Sequence, residues 1–422
     1  MDHSWNNILL VFNALLWLVT FFIYQKRRKY FGVGSGIILL YTIIAVVDIH
    51  LYHNPYTLGL FKDLSLIPYL YLYSMIMLAC LPIFILDKSN IEYIQPPRLL
   101  TLNVISVILI IVSFLGVSDI LSGLSNGIYM LMMDSDYGRA MYQETSENFL
   151  MKTTSNMDIL SIIGNLGREI IPLFLVYYLT LIKRNRYILL GLIIGSLISP
   201  LYAISIGGRT VAVLFFLKIL FLFLFLRRFM VDRLKQHIIY IISVLLFLLI
   251  IPFVALTISR AEGDFNRVAY TVERYSSESF LNFNNWGLDA NGCRYGDRTI
   301  VLIKELLGLE PAKYYTTRLS KYSSMNMDES VFYTFVGEFT LDYGPFLSII
   351  IFVMTSIVFI HLLRVENGRF SFSQYILFYS LMFGCLGYFH FPWANMGGNL
   401  QLVVLFFLAL LFKYDYFILK GR

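Results

Sequence analysis

The chain has 422 residues, of which 58% are hydrophobic, 17% aromatic and only 14% charged, with a mean hydropathy of +0.70. A soluble domain carries roughly 25% charged residues, so this surface cannot be covered for water, and a soluble globular protein is excluded. The net charge of +6 is small and scattered. That excludes a nucleic-acid partner and fits cytoplasmic loops drawn to anionic membrane lipid.

Apolar runs approaching the roughly 20 residues that cross a bilayer recur along the chain. They predict an all-α polytopic membrane protein, a single integral domain over residues 1–422 with about eleven helices. The spans fall at 6–24, 31–50, 64–86, 99–117, 159–182, 187–206, 210–226, 238–257, 345–363, 373–390 and 399–412. The start, MDHSWNN, lacks the basic region of a cleavable signal peptide.

Placing the N-terminus outside sorts the connections by charge. Segments 25–30, 87–98, 183–186, 227–237, 364–369 and the tail from Phe412 then lie inside and hold eighteen Lys and Arg. The short outside segments, namely the N-terminus, 51–63, 118–158, 207–209 and 391–398, hold four. This asymmetry predicts a cytoplasmic C-terminus. Two outer connections are long. Residues 118–158 mix polar and apolar side chains. Residues 258–344 are too rich in Tyr, Phe and Trp to be a disordered linker and predict a structured outer loop.

Charge inside a span costs on the order of 2.5–3.5 kcal/mol and calls for a partner or a function. Arg168 and Glu169, in GNLGREIIP, lie well inside the fifth span beside Gly164, Gly167 and Pro172. They form either a self-neutralising pair that joins two helices or part of a cavity open to the outside. Arg209, in ISIGGRT, stands at an outer turn where Gly207 and Gly208 leave room for a ligand; an interface anchor is the plainer alternative. Lys218 is mid-span and is expected to face the bundle interior. In ISRAEGDFNRVAYTVERYSS, Arg260, Arg267 and Arg274 recur every seven residues, which places them on nearly one helix face. Such a row suits a diphosphate, because guanidinium binds phosphate oxygens bidentately and stays charged. Local pairs with Glu262, Asp264, Glu273 and Glu278 would explain it equally.

Further along, NGCRYGDRTIVLIKELLG carries Arg298 and leads into an amphipathic helix with Ile300, Ile303, Leu306 and Leu307 on one face, expected to cap the cavity. The return segment MNMDESVFYTFVGEFTLDYGPF brings Asp328, Glu329, Glu338 and Asp342 back to the membrane. Carboxylates there are general-base candidates, Glu338 first because it sits at the apolar boundary. The six histidines share no ligand spacing with carboxylates or cysteines, and Cys80, Cys293 and Cys385 are far apart, so no metal site or disulfide framework is read. No nucleotide motif occurs either.

In this layout the chain resembles the Wzy family of O-antigen and capsule repeat-unit polymerases. The features are about eleven helices, the arginine of the GGRT turn, a late outer loop opening with SR, and a return through GEFTLDYGPFLSIII. The resemblance implies a membrane-embedded fold of the GT-C type, in the bacterial inner membrane, with its active site facing the periplasm. It implies transfer of a growing glycan from undecaprenyl diphosphate to the next lipid-linked repeat, with no cofactor. A chain-length regulator protein is a possible partner on the same grounds. Arg168, Arg209 and Arg260 would stabilise the leaving diphosphate and Glu338 would take the acceptor proton. Arg267, Arg274, Glu169, Arg298 and Asp328 would line the substrate site. An O-antigen ligase of the WaaL type and a transporter or flippase of lipid-linked oligosaccharide are the alternatives. The ligase resemblance would place a histidine base in the large outer loop, and 258–344 contains none.

Overall fold

The computed structural model describes residues 3–28, 30–132, 156–181, 183–205, 209–233, 235–236, 238–240, 264–329 and 331–420. Its helices are α1 (His3–Lys26), α2 (Val33–His53), α3 (Leu66–Lys88), α4 (Leu99–Ser113), α5 (Val117–Met132), α6 (Asn156–Thr180), α7 (Arg186–Ser205), α8 (Arg209–Leu226), α9 (Phe265–Asn282), α10 (Val301–Leu306), α11 (Tyr315–Lys321), α12 (Phe335–Leu362), α13 (Phe372–Cys385) and α14 (Asn395–Lys420). Two three-residue strands, β1 (Tyr93–Gln95) and β2 (Arg369–Ser371), pair in parallel. Among the described residues seven helices are long and apolar enough to cross a membrane, or eight if the bent pair α4–α5 counts as one span. The polytopic helical character expected from composition is therefore present.

The chain divides into two compact units. The first comprises residues 1–90, 264–365 and 380–399. Within it α2 packs on α1 and α9, and α3 packs on α12. Trp17 stacks on Tyr41 with centroids 5.3 Å apart, and the Tyr41 hydroxyl donates to the Cys385 carbonyl at 2.8 Å. Four of the connections sorted to the outside by charge come together here. Asn6 receives the Leu64 amide at 3.0 Å, Ser65 donates to Asn284 at 2.9 Å, and Asn395 donates to the Arg298 carbonyl at 2.7 Å. The N-terminus, residues 51–65, the large loop and residues 391–399 thus share one side of this unit.

The second unit holds residues 91–263, 366–379 and 400–422. Its α6 packs on α4, α7 and α8, and α7 also packs on α5. Phe225 of α8 stacks on Phe378 at 4.2 Å, and the Tyr379 hydroxyl donates to the Glu169 carbonyl at 2.9 Å. Pairing of β1 with β2 puts residues 93–95 and 369–371 on one side, as the charge count sorts 87–98 and 364–369.

Several boundaries differ from the sequence reading. The fourth span does not give way to a loop at residue 118. After a 40° bend the chain continues as α5 to Met132. Gly116 makes the bend possible, because its φ of 71° lies in the left-handed region that glycine enters without a Cβ clash. The tenth expected span is shorter than its apolar run: α13 stops at Cys385, and residues 386–394 form a run of turns and bends. The eighth expected span, 238–257, falls mostly outside the described residues. The described part of the large loop, from Asp264 on, is structured, as its aromatic content predicts, and contains α9, α10 and α11.

The ninth span is two helices joined at Gly344, whose φ is 78° and whose successor is Pro345. Residues 345–362 alone rise about 27 Å at 1.5 Å per residue, close to the roughly 30 Å hydrocarbon core. Residues 335–343 are therefore surplus to the crossing, and they carry Glu338 and Asp342 to its edge.

Candidate functional site

The charged side chains of the large loop condense onto residues 335–343 in the first unit. Arg294 is buried at the centre. Its Nη1 reaches Glu329 Oε1 at 3.0 Å, its Nη2 reaches Glu338 Oε2 at 2.7 Å, and its Nε lies 2.8 Å from Asp342 Oδ1. Arg298 grips the other Glu338 oxygen at 2.8 Å, and Arg318 grips the other Glu329 oxygen at 3.1 Å. Asp342 Oδ2 accepts from the Thr299 amide at 2.8 Å and the Thr299 hydroxyl at 2.7 Å. Three guanidiniums and three carboxylates alternate, so the cluster is neutral as a whole. Burial alone would pull the Arg294 guanidinium down and push the Glu329 carboxyl up. The opposite charges around each outweigh it, holding Arg294 well above and Glu329 below its ordinary value.

The local backbone explains how the loop delivers two arginines four residues apart. Residues 290–300 make a chain of turns with positive φ at Asn291, Gly292, Tyr295 and Gly296, and the Arg294 amide donates to the Leu341 carbonyl at 2.9 Å. Opposite, Glu338 and Asp342 are one helical turn apart on α12. Arg–x3–Arg therefore meets Glu–x3–Asp. Arg298 differs from the other two in being open: its side chain is 22% exposed against 2% for Arg294 and 8% for Arg318. His390 lies within electrostatic range of both Arg298 and Glu338. It is partly exposed, in the turn beyond α13. Burial first, then the Arg298 charge, bring its imidazole down to about 4, with Glu338 pulling the other way. It is accordingly neutral at physiological pH and able to accept a proton.

A second node braces the loop. Asp297, fully buried, takes an ion pair from Lys304, a 2.8 Å pair from Lys321, the Tyr322 hydroxyl, and the Ala312 amide at 3.0 Å. Burial pushes its carboxyl up, but these four donors prevail and hold it down to about 2. A folded-state value below the usual carboxylate range of about 3.9 contributes stability above that range, which is lost as pH falls towards 2. Asp297→Asn should therefore melt lower than the parent protein at neutral pH. The gap in melting temperature should close between about pH 4 and pH 2. Melts in detergent at one scan rate check this; a gap unchanged at pH 2 would refute it.

The arginines of the second unit are differently placed. Arg168 is buried, and all three of its nitrogens are engaged. Nε donates to the Ser113 carbonyl at 3.0 Å, Nη2 to the Leu115 carbonyl, and Nη1 to Asn165 Oδ1 at 2.7 Å. Those carbonyls are freed where α4 ends before the Gly116 bend, so the guanidinium caps a broken helix. Its neighbour Glu169 pairs with Lys218 and accepts from Ser199 at 3.1 Å. Lys218 is buried, facing the interior as expected. Arg168 and Glu169 thus serve separate partners instead of forming an adjacent pair.

Arg209 opens α8, while Gly207, Gly208 and Arg260 lie outside the described residues. Arg267 and Arg274 do share α9, but Arg274 pairs with Glu278 at 3.1 Å across one helical turn. Asp328 is exposed at the loop surface. Of the residues singled out in the sequence, Glu338, Arg298, Glu329 and Asp342 are brought together. Arg294, Arg318 and His390 complete the cluster without having been singled out in the sequence. The matched four-residue spacing was the available signal for Arg294. His390 carried none, because it sits in a different connection.

Among the described residues no group of three or more His, Cys, Asp or Glu side chains could hold a metal ion. A cavity of about 620 Å³ in the second unit, lined by Asn103, Tyr178, Lys183, Arg184 and Arg186, involves none of the expected site residues. Comparison with family models, with curated proteins and with solved structures gives no match.

Proposed function

We propose that this chain is a membrane glycosyltransferase that polymerises undecaprenyl-diphosphate-linked oligosaccharide repeats at the periplasmic face of the bacterial inner membrane. The observation that carries this reading is Arg298: a partly exposed guanidinium, held by Glu338 at the start of a span and within range of a neutral histidine. A diphosphate leaving group needs a fixed cation where charge develops, and an acceptor hydroxyl needs a base. In the proposed step the acceptor oxygen bonds to the donor's anomeric carbon as the bond from that carbon to the diphosphate breaks. The hydroxyl proton passes to His390, and the diphosphate carries the electron pair away against Arg298. Glu338 has both oxygens occupied by guanidiniums, so it positions Arg298 in this scheme and leaves the base role to His390.

His390 also favours a second reading, an O-antigen ligase, whose resemblance implies a histidine base. It lies outside the 258–344 loop where that histidine is expected, which keeps polymerisation first. The two readings part on their products. Purified protein in lipid vesicles, supplied with lipid-linked repeats alone, should build a ladder at multiples of the repeat and release undecaprenyl diphosphate. Transfer only when a separate lipid acceptor is added would favour the ligase, and no transfer under either condition would sink both.

A further inference from the structure

The large outer loop leaves an apolar prow uncovered. Ile303 is 51% exposed, Leu306 78%, Leu307 70% and Leu309 53%, all within seven residues. The helix face expected to cap a cavity is instead turned outward. A water-facing loop rarely leaves so contiguous an apolar patch open. The height of this patch is fixed by its neighbours. Asn399 takes the Leu302 amide at 3.1 Å and donates to the Thr299 carbonyl at 2.9 Å, and the Asn395 amide donates to the Arg298 carbonyl at 2.7 Å. Asn395 and Asn399 form the first turn of the candidate span Asn395–Asp415. Just upstream, the Cys293 sulfur packs at Gly344, where the second piece of α12 begins its crossing. That piece exposes Phe346, Leu347 and Ile350 in its first turns, side chains that in a span face acyl chains. Residues 298–302 are thus pinned at the level where two spans enter the membrane, and the leucines that follow are open at that level.

We propose that Val301–Leu309 lies in the lipid interface, its apolar side chains seated between headgroups and acyl chains of the leaflet that borders the large loop. Its composition fits that depth. Glu305 pairs with Lys313, and Lys304 pairs with Asp297, so both charged side chains of the segment have partners while its other exposed side chains are apolar. Bilayer lipid is the occupant because the patch continues the level of the spans' own lipid-facing side chains. The loop is then moored at three places, α9, α12 and this segment, and Arg298, three residues before Val301, is held at headgroup height.

The test places one cysteine at Leu306 on a Cys293→Ser background, where the two remaining cysteines, Cys80 and Cys385, are buried. Leu306 is exposed, so the substitution removes no packing, and Leu309→Cys repeats the measurement at a second position. An environment-sensitive dye is attached, and the protein is reconstituted in phosphatidylethanolamine–phosphatidylglycerol vesicles. Ser324→Cys, at an exposed polar position of the same loop, is the reference. A blue-shifted dye at 306 that loses most of its emission to lipid carrying a nitroxide high on the acyl chain, and little to aqueous iodide, is the expected result. Quenching by iodide at the level of the Ser324 reference would overturn it. So would protection from both quenchers with 306–306 cross-linking, which would assign the patch to a second copy of the chain.

Discussion

Arg294→Ala should prevent the protein from accumulating in the membrane. Arg294 meets three carboxylates, Glu329, Glu338 and Asp342, in a buried setting. Removing it leaves these carboxylates with only Arg298, Arg318 and Thr299 to offset them. Breaking one buried pair typically costs on the order of 3–5 kcal/mol, because an uncompensated charge is left behind. Total folding stability is itself only about 5–15 kcal/mol, so a hub shared by three partners takes up a large part of it. Arg294→Lys should rescue little, since one ammonium cannot present three donors in a plane to three separate acceptors. Arg294→Met combined with Glu338→Gln should do better than Arg294→Ala alone, because the stranded charge is reduced. Membrane abundance and size-exclusion profiles of tagged variants measure this. A monodisperse Arg294→Ala protein at normal abundance would show that the cluster contributes little to folding.

The part of the fold legible in the sequence is the part written by hydropathy. Apolar runs located α1, α2, α3, α6, α7 and α8 to within a few residues, and the second piece of α12 from residue 345, since each must satisfy its backbone internally in lipid. The charge count grouped connections that the structure does bring together, such as 93–95 with 369–371. Hydropathy does not encode breaks. The bend at Gly116 and the joint at Gly344 depend on single glycines with positive φ, and apolar residues continue on both sides.

The candidate site was only half legible, for a related reason. Intramembrane charge drew attention to Arg168, yet its guanidinium is consumed by carbonyls that the Gly116 bend releases. An arginine that repairs a broken helix and one that binds a ligand look alike in sequence. Glu338 and Arg298 were singled out separately, one at the apolar boundary and one in the loop. Their pairing depends on turns at residues 291–296 that fold the loop back onto α12. His390 was hidden by its apolar surroundings, which read as the end of a span.

Arg298→Ala should abolish polymer formation and leave the protein folded, the converse of Arg294→Ala. Arg298 makes one ion pair, to a Glu338 that Arg294 also holds, and its side chain is partly exposed, so its removal strands no charge. Its proposed work is to meet negative charge that grows on the diphosphate as the glycosidic bond to it breaks. Loss of one such preorganised donor typically lowers turnover by about 10²–10³-fold. Arg298→Lys should recover only part of this, because a point charge replaces a bidentate fork. His390→Gln should lower turnover by about 10²–10⁴-fold, since the amide keeps some hydrogen bonding but takes no proton at these pH values. The pH profile separates a base from a merely structural histidine. With its imidazole held to about 4, His390 stays neutral well below pH 6, so activity should persist there, and its acid limb should lie nearer 4 than the ordinary 6.5. Arg298→Ala removes a cation that disfavours the protonated imidazole, so any residual activity should show that limb moved to higher pH. Rates of lipid-linked repeat extension across pH 4–8 in the parent and the three variants measure all of this. Full activity in Arg298→Ala, or an acid limb that stays fixed when Arg298 is removed, would detach these two residues from the chemistry.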